Sequence, residues 1–110
     1  MKQNDIYLAD LNPTIGAEQK GLRPVVIISG NAMNHHFDVC IVCPISSKIK
    51  GFAGCLFLQK DNMNNLTHDS EVITFQVRTI DKTRLTRRIG QITDQQLLVI
   101  KKGLNEILTY

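Results

Sequence analysis

An arginine held beside a proline, two serines after another proline, and a glutamate inside a glycine-bounded loop are the residues of this sequence best suited to chemistry on an anion. Arg23-Pro24 stands where a polar loop enters an apolar run, so a stiff neighbour fixes the guanidinium near the surface. Its planar fork of donors stays protonated and matches two oxygens of one phosphate. The competing reading is an ordinary ion pair with Glu18 or another carboxylate. Ser46-Ser47 follows Pro44-Ile45 at the end of a second apolar run, where a hydroxyl can meet a phosphate or a reacting oxygen, or simply shape a turn. Five of the thirteen Lys and Arg residues, Arg78, Lys82, Arg84, Arg87 and Arg88, crowd one stretch against a single acid, Asp81. That stretch reads either as a positive strip for a polyanion or as a solvated strand edge.

Other chemistries fit the sequence less well. Cys40-x-x-Cys43, with Cys55, His35, His36 and His68, invites a zinc site. Residues three apart in an extended strand face opposite sides, however, and there is no second Cys pair, so no metal ligand is assigned. The thiols lie in apolar runs that raise their pKa, which argues against a cysteine nucleophile, and His35-His36 read as exposed loop residues. There is no phosphate-binding glycine loop, no HExxH and no pair of carboxylates at helical spacing.

These residues need elements to position them, and the chain supplies strand after strand. Ile6 to Leu11 is short and β-compatible. Pro24 to Ser29 and Asp38 to Cys43 are β-branched runs that read as strands buried on both faces, and Gly54 to Leu58 is another strand. Glu71 to Val77 alternates, which predicts Ile73, Phe75 and Val77 on one face and Thr74 and Gln76 on the other. Arg88 to Ile92 closes the sheet. Thr93-Asp94-Gln95-Gln96 has the form of a capping box, and Leu97, Ile100, Leu104, Ile107 and Leu108 then recur at helical spacing. Short helical turns are expected around Asn31 to His36 and Asp81 to Leu85. The expected fold is mostly β, a small antiparallel barrel or curved sheet with a C-terminal α-helix. Two long polar connections, Asn12 to Arg23 and Ser46 to Ala53, are where function is sought, the first as a mobile loop.

At 110 residues, 43% hydrophobic and 21% charged, the chain fits one domain, 1–110, with one core, and excludes a disordered or collagen-like protein. Its longest apolar run, Val39 to Cys43, is far too short to span a membrane, and Met1 to Asp5 opens no signal peptide, so a cytoplasmic protein with reduced thiols is expected. The net charge of +3 is by itself too mild to prove a nucleic-acid partner.

Taken together, Gly16 to Val26, Pro44-Ile45-Ser46-Ser47 and Gln76-Val77-Arg78-Thr79-Ile80-Asp81-Lys82, with the lead-in Asp10 to Thr14, resemble the MazF/PemK family of toxins over nearly the whole chain. The resemblance implies an SH3-like barrel of CcdB/MazF type that forms a homodimer and answers to a cognate antitoxin. It implies ribosome-independent, sequence-specific cleavage of single-stranded mRNA without a metal or other cofactor. By position, Arg23 resembles the family's arginine at the scissile phosphate, Ser46 stands where many members carry threonine, and Glu18 matches an acidic loop residue that supports activity in some. Gln19, Lys20, Ser47, Lys48, Gln76, Arg78, Lys82 and Arg84 are the implied RNA contacts. One departure is plain: the His, Arg and Asp set described for the plasmid-borne branch aligns here with Ala17, Ile73 and Phe75.

The residues themselves agree with that chemistry. An RNA 2′-hydroxyl can attack its own phosphate, so the protein need only hold the backbone in line, help remove a proton and stabilise the added charge. Two rivals are a non-catalytic CcdB-like toxin that binds a protein such as gyrase, and a plain RNA-binding barrel that stacks bases on aromatics. The first has no need of Glu18, Arg23 and Ser46 beside a basic strip. The second is disfavoured by 5% aromatic content and by Phe57 and Phe75, which read as buried.

Overall fold

The computed structural model describes all 110 residues, Met1–Tyr110. The strands are β1 (Asp5–Asp10), β2 (Leu22–Ile27), β3 (Val39–Ser46), β4 (Leu56–Leu58), β5 (Ser70–Val72), β6 (Arg78–Asp81) and β7 (Leu85–Gln91); the helices are α1 (Asn31–His36) and α2 (Asp94–Thr109). All strand pairs are antiparallel, in the order β4-β5-β3-β2-β1-β7, with β6 also on β3. The path does not close, and of the two expected forms, barrel or curved sheet, the chain takes a curled, barrel-like sheet with a C-terminal helix, as expected. No helix is long and apolar enough to cross a membrane.

The middle strand explains the curl. Along one edge β3 pairs with β2, whereas its other partner changes from β6 (Val42↔Arg78) to β5 (Ile45↔Val72). Pro44 sits at the changeover, where a residue without an N–H leaves no ladder donor stranded, and its carbonyl accepts from Ile73 N at 2.9 Å. Successive side chains of the β-branched runs pass to opposite sides, as a period of two demands. Ile6, Val26, Cys43 and Ile45 join Leu58, Val72, Ile92, Leu97 and Ile100 in one core cluster; Ala9, Leu11, Val25, Ile27, Cys40, Val42 and Ile80 form a second. Cys40 and Cys43 thus lie in different clusters, as the spacing requires.

The expected capping box is present at α2: Thr93 Oγ1 accepts from Gln96 N, and Gln96 Oε1 accepts from Thr93 N. Leu97 and Ile100 are buried, each contributing about 2 kcal/mol of apolar burial. Gly103 lets the helix touch the β3–β4 loop at Gly54, whose backbone has φ +85°.

The alternating stretch from Glu71 to Val77 is not one strand. β5 stops at Val72, and Thr74–Gln76 form a 3₁₀ turn. Long-range bonds override the local pattern: Ile73 N is taken by Pro44 O, and Thr74 Oγ1 donates to Gly54 O at 2.8 Å. Thr74 is therefore fully buried, while Phe75 and Phe57, expected inside, are about half exposed.

Burial pushes the Cys43 thiol up to about 12, with the neighbouring Cys55 adding to the effect, and burial also raises Cys40. Between pH 9 and 12 the folded chain keeps the Cys43 proton while the unfolded chain releases it, so stability is lost as pH rises through this window. Denaturant titrations from pH 8 to 11 should show a downward slope on the order of 1 kcal/mol per pH unit from this group. Cys43→Ala should flatten the slope even though its absolute stability is lower. An unchanged slope in the variant would assign the alkaline loss elsewhere.

Candidate functional site

The long loop between β1 and β2 is not free. Asp10 Oδ1 accepts from Asn12 N, Asn12 Oδ1 accepts from Gly21 N, and Leu11 N donates to Gly21 O, so the two ends are closed on each other. Gly16 (φ +60°) and Gly21 (φ +80°) make the reversals. Inside the loop Glu18 Oε1 accepts from Ile15 N at 2.6 Å. Gln76 grips it from across the fold: its Oε1 accepts from Gln19 N at 2.7 Å and its Nε2 donates to Ala17 O at 3.2 Å. Arg84 donates to the carbonyls of Asp10 and Asn12, and Arg78 makes a long 3.5 Å contact to Leu11 O. The loop expected to be mobile is thus held by backbone carbonyls offered to cations.

Three hollows are lined by residues of the C-terminal half of β3 or its neighbours, two of them sharing Gln19, Phe75 and Gln76. The largest, about 440 Å³, brings Ser46, Gln19, Lys48 and Gln76 together with Lys50, Glu71, Phe52 and Phe75. A second, about 180 Å³, holds Glu18, Gln19, Gln76 and Arg78. The third, about 150 Å³, holds Arg23 and Ser47 with Thr67, His68 and Ser70. Arg23 and Ser46 therefore line different hollows with no wall residue in common, although the β2–β3 register, Val25↔Pro44, continued by two residues sets them opposite each other. Lys82 is placed apart, with its ammonium on the Asn34 carbonyl at α1.

The polar atoms are poised unevenly. Ser46 is 6% exposed, and its Oγ accepts from Lys48 N at 3.1 Å, which leaves the hydroxyl proton free. Arg23 Nε donates to Lys20 O at 3.1 Å and meets no carboxylate; the ion pair to Glu18 does not form. The one ion pair of the molecule is Arg88 to buried Asp5 at 3.0 Å, so Lys20, Lys48 and Lys50 are unpaired cations. At the far end of the basic stretch, Asp81 is held below the usual carboxylate range by the backbone N–H and hydroxyl of Thr83.

Sequence reasoning overlooked Glu71. It is 3% exposed, faces Ser46 across the β3–β5 pair, and accepts from Lys50 N at 3.3 Å and Gly51 N at 3.0 Å. It thereby folds the β3–β4 loop over the largest hollow. The signal was a carboxylate on the same face of the alternating stretch as Ile73, an expensive place for a charge without donors.

Residues 2–108 match the family described as PemK-like, MazF-like toxin of type II toxin-antitoxin system. The chain belongs to this family. The toxin is 32% identical over 106 residues to Endoribonuclease MazF of Staphylococcus saprophyticus, covering 96% of this chain and 88% of the relative. It is 33% identical over 105 residues to Endoribonuclease EndoA of Bacillus subtilis, covering 94% and 90%. In fold it is similar to crystalline MazF from Deinococcus radiodurans, with TM-score 0.82, 23% identity and coverage of 99% and 96%. It is also similar to a mycobacterial endoribonuclease solved in complex with its cognate antitoxin, with TM-score 0.80, 18% identity and coverage of 98% and 94%.

Proposed function

We propose that the toxin is a metal-independent endoribonuclease that cuts single-stranded mRNA at short sequence motifs, without the ribosome, through attack of the RNA's own 2′-hydroxyl. Endoribonuclease activity follows from the family and from two relatives of that name matched over nearly the whole chain. The observation that carries the detailed reading is a lack of internal pairing. Lys48 and Lys50 line the hollow that holds Ser46, Arg23 lines the hollow of Ser47, and Lys20 lends Arg23 its carbonyl. None of these four cations forms an ion pair, and the one carboxylate in the Ser46 hollow, Glu71, is taken up by backbone amides.

In this reading the backbone lies across the hollows with its scissile phosphate between Arg23 and Ser46. The guanidinium neutralises the charge that grows on the phosphoryl oxygens, and Ser46 donates its free proton to one of them. Glu18, whose second oxygen has no partner, takes the proton of the attacking 2′-hydroxyl or orients Arg23. The 5′-oxygen leaves with a proton from water. Gln19, Lys20, Ser47, Lys48, Gln76 and Arg78 follow the strand, while Lys82 and Arg84 extend the positive field.

The same reading takes the active form to be a homodimer in the cytoplasm, since an open sheet path leaves edges that pairing can cover and two-fold homodimers are the commonest closed assembly. A cognate antitoxin, whose class is supported by the family, blocks the RNA groove with an acidic segment. The rival gyrase-binding reading is not favoured by relatives named endoribonucleases.

The test is incubation with a long RNA in EDTA, followed by analysis of the ends. Products should carry 2′,3′-cyclic phosphate or 3′-phosphate and 5′-hydroxyl ends, and one deoxyribose at the cut should block cleavage. A need for Mg²⁺, or 5′-phosphate ends, would refute the mechanism.

A further inference from the structure

Phe52 and Phe75 are 52% and 48% exposed, yet they touch each other, with ring centroids 5.7 Å apart and planes at 77°. Single exposed aromatics are ordinary; two in edge-to-face contact, lining one hollow beside unpaired lysines, are not. Each ring is held from behind. Phe75 lies in the 3₁₀ turn fixed by Thr74 to Gly54 and by Gln76 to the β1–β2 loop. Phe52 follows the two amides, Lys50 and Gly51, that the buried Glu71 carboxylate pins.

We propose that the Phe52–Phe75 pair is a base-stacking platform: one unpaired nucleobase of the RNA, adjacent to the phosphate that is cut, lies against these rings in the 440 Å³ hollow. The inference rests on the RNA-cleavage reading above and adds where sequence preference arises. A hollow of this size, with Ala17, Phe52, Ile73 and Phe75 as its apolar wall and polar or charged side chains around the rest, admits a planar heterocycle. The polar atoms beside it suit a base edge and its phosphate: the Gln19 side chain makes no hydrogen bond in the protein, and Lys48 and Lys50 are free to meet the backbone. Stacking on Phe tolerates any base, so the ring supplies affinity and the polar rim supplies preference.

The test uses full-length toxin and an RNA carrying one deoxyribose at the cut, so that binding is read without cleavage. Phe52→Leu and Phe75→Leu keep apolar volume and lose the ring; Phe52→Tyr and Phe75→Tyr keep it. Each Leu variant should raise Kd by about 10-fold or more, and mapped ends should show relaxed preference at one nucleotide beside the cut. The Tyr variants should restore both. Replacing that nucleotide by an abasic one should cost the wild type the same factor and cost the Leu variants little further. Leu variants, folded by circular dichroism, that bind and cut with the wild-type motif would overturn the platform while leaving the cleavage reading intact. Equal abasic losses in wild type and variants would also overturn it, as would Leu variants that lose only binding of an acidic antitoxin peptide. Failure of the wild type to cut single-stranded RNA would remove the cleavage reading and the platform together.

Discussion

Arg23→Ala is expected to slow RNA cleavage by about 10²-fold or more in a protein that remains folded, the range found when one preorganised charge-stabilising donor is removed. Arg23 sits in β2 opposite Ala9, and the strand pair there is held by backbone atoms. Its side chain makes a single hydrogen bond, to Lys20 O, and no ion pair, so truncation leaves no buried charge without a partner. The loss should therefore fall on the reaction and spare the melting temperature. Arg23→Lys keeps the charge without the two-point fork and should recover only part of the rate. Ser46→Ala should lose less than Arg23→Ala, and Ser46→Thr, which keeps the hydroxyl, should stay active. Single-turnover rates on one RNA, with thermal melts alongside, decide the matter. A folded Arg23→Ala protein that cleaves at the wild-type rate would show that the phosphate lies elsewhere.

A large loss of stability is expected for Gly103→Ala. Glycine to alanine inside a helix ordinarily stabilises by up to about 1 kcal/mol, so propensity alone predicts a gain. Here the added Cβ would stand 2.0 Å from the Gly54 carbonyl oxygen and 2.9 Å from its carbon, both backbone atoms that cannot rotate away. Either α2 withdraws from the core that holds Leu97 and Ile100, or the β3–β4 loop moves. Overpacking of this kind costs about 3 kcal/mol, which for a chain this size lowers the melting temperature on the order of 15 °C. Gly30→Ala, where a Cβ meets nothing within 4 Å, is the matched control and should change little. A Gly103→Ala protein that melts at or above the wild-type temperature would mean that the helix does not seat on Gly54.

What could be read from the sequence followed from local rules. The buried strands β2 and β3 were legible because Val25-Val26-Ile27 and Val39 to Cys43 offer no polar face, and α2 because Thr93 and Gln96 cap each other within four residues. The stretch from Glu71 to Val77 was misread because its alternation is broken by partners far away in sequence, Pro44 for Ile73 and Gly54 for Thr74. The half-exposed Phe75 follows from that break, and it brings an aromatic ring within reach of RNA bases in a chain of only 5% aromatic content. Arg23 and Ser46 attracted notice as isolated residue types next to prolines, but their joint role came only with the family resemblance. Glu71 needed the sheet register, since nothing local announces that it receives two amides from the loop after Ser46.

The 3₁₀ turn at Thr74–Gln76 joins two duties in neighbouring residues: Phe75 walls the largest hollow, and Gln76 grips the loop that bears Glu18 and Gln19. A substitution at 75 that reshapes the turn also shifts that grip, so the wall of the hollow and the loop that bears Glu18 and Gln19 cannot be varied independently there. Phe52 stands on a loop with a separate anchor in Glu71, and changes there leave the grip of Gln76 untouched. Two routes of divergence are therefore open to such a toxin. Under the proposed platform, a change at 52 alters one ring and leaves the loop of Glu18 and Gln19 in place, whereas a change at 75 disturbs a ring and that loop together.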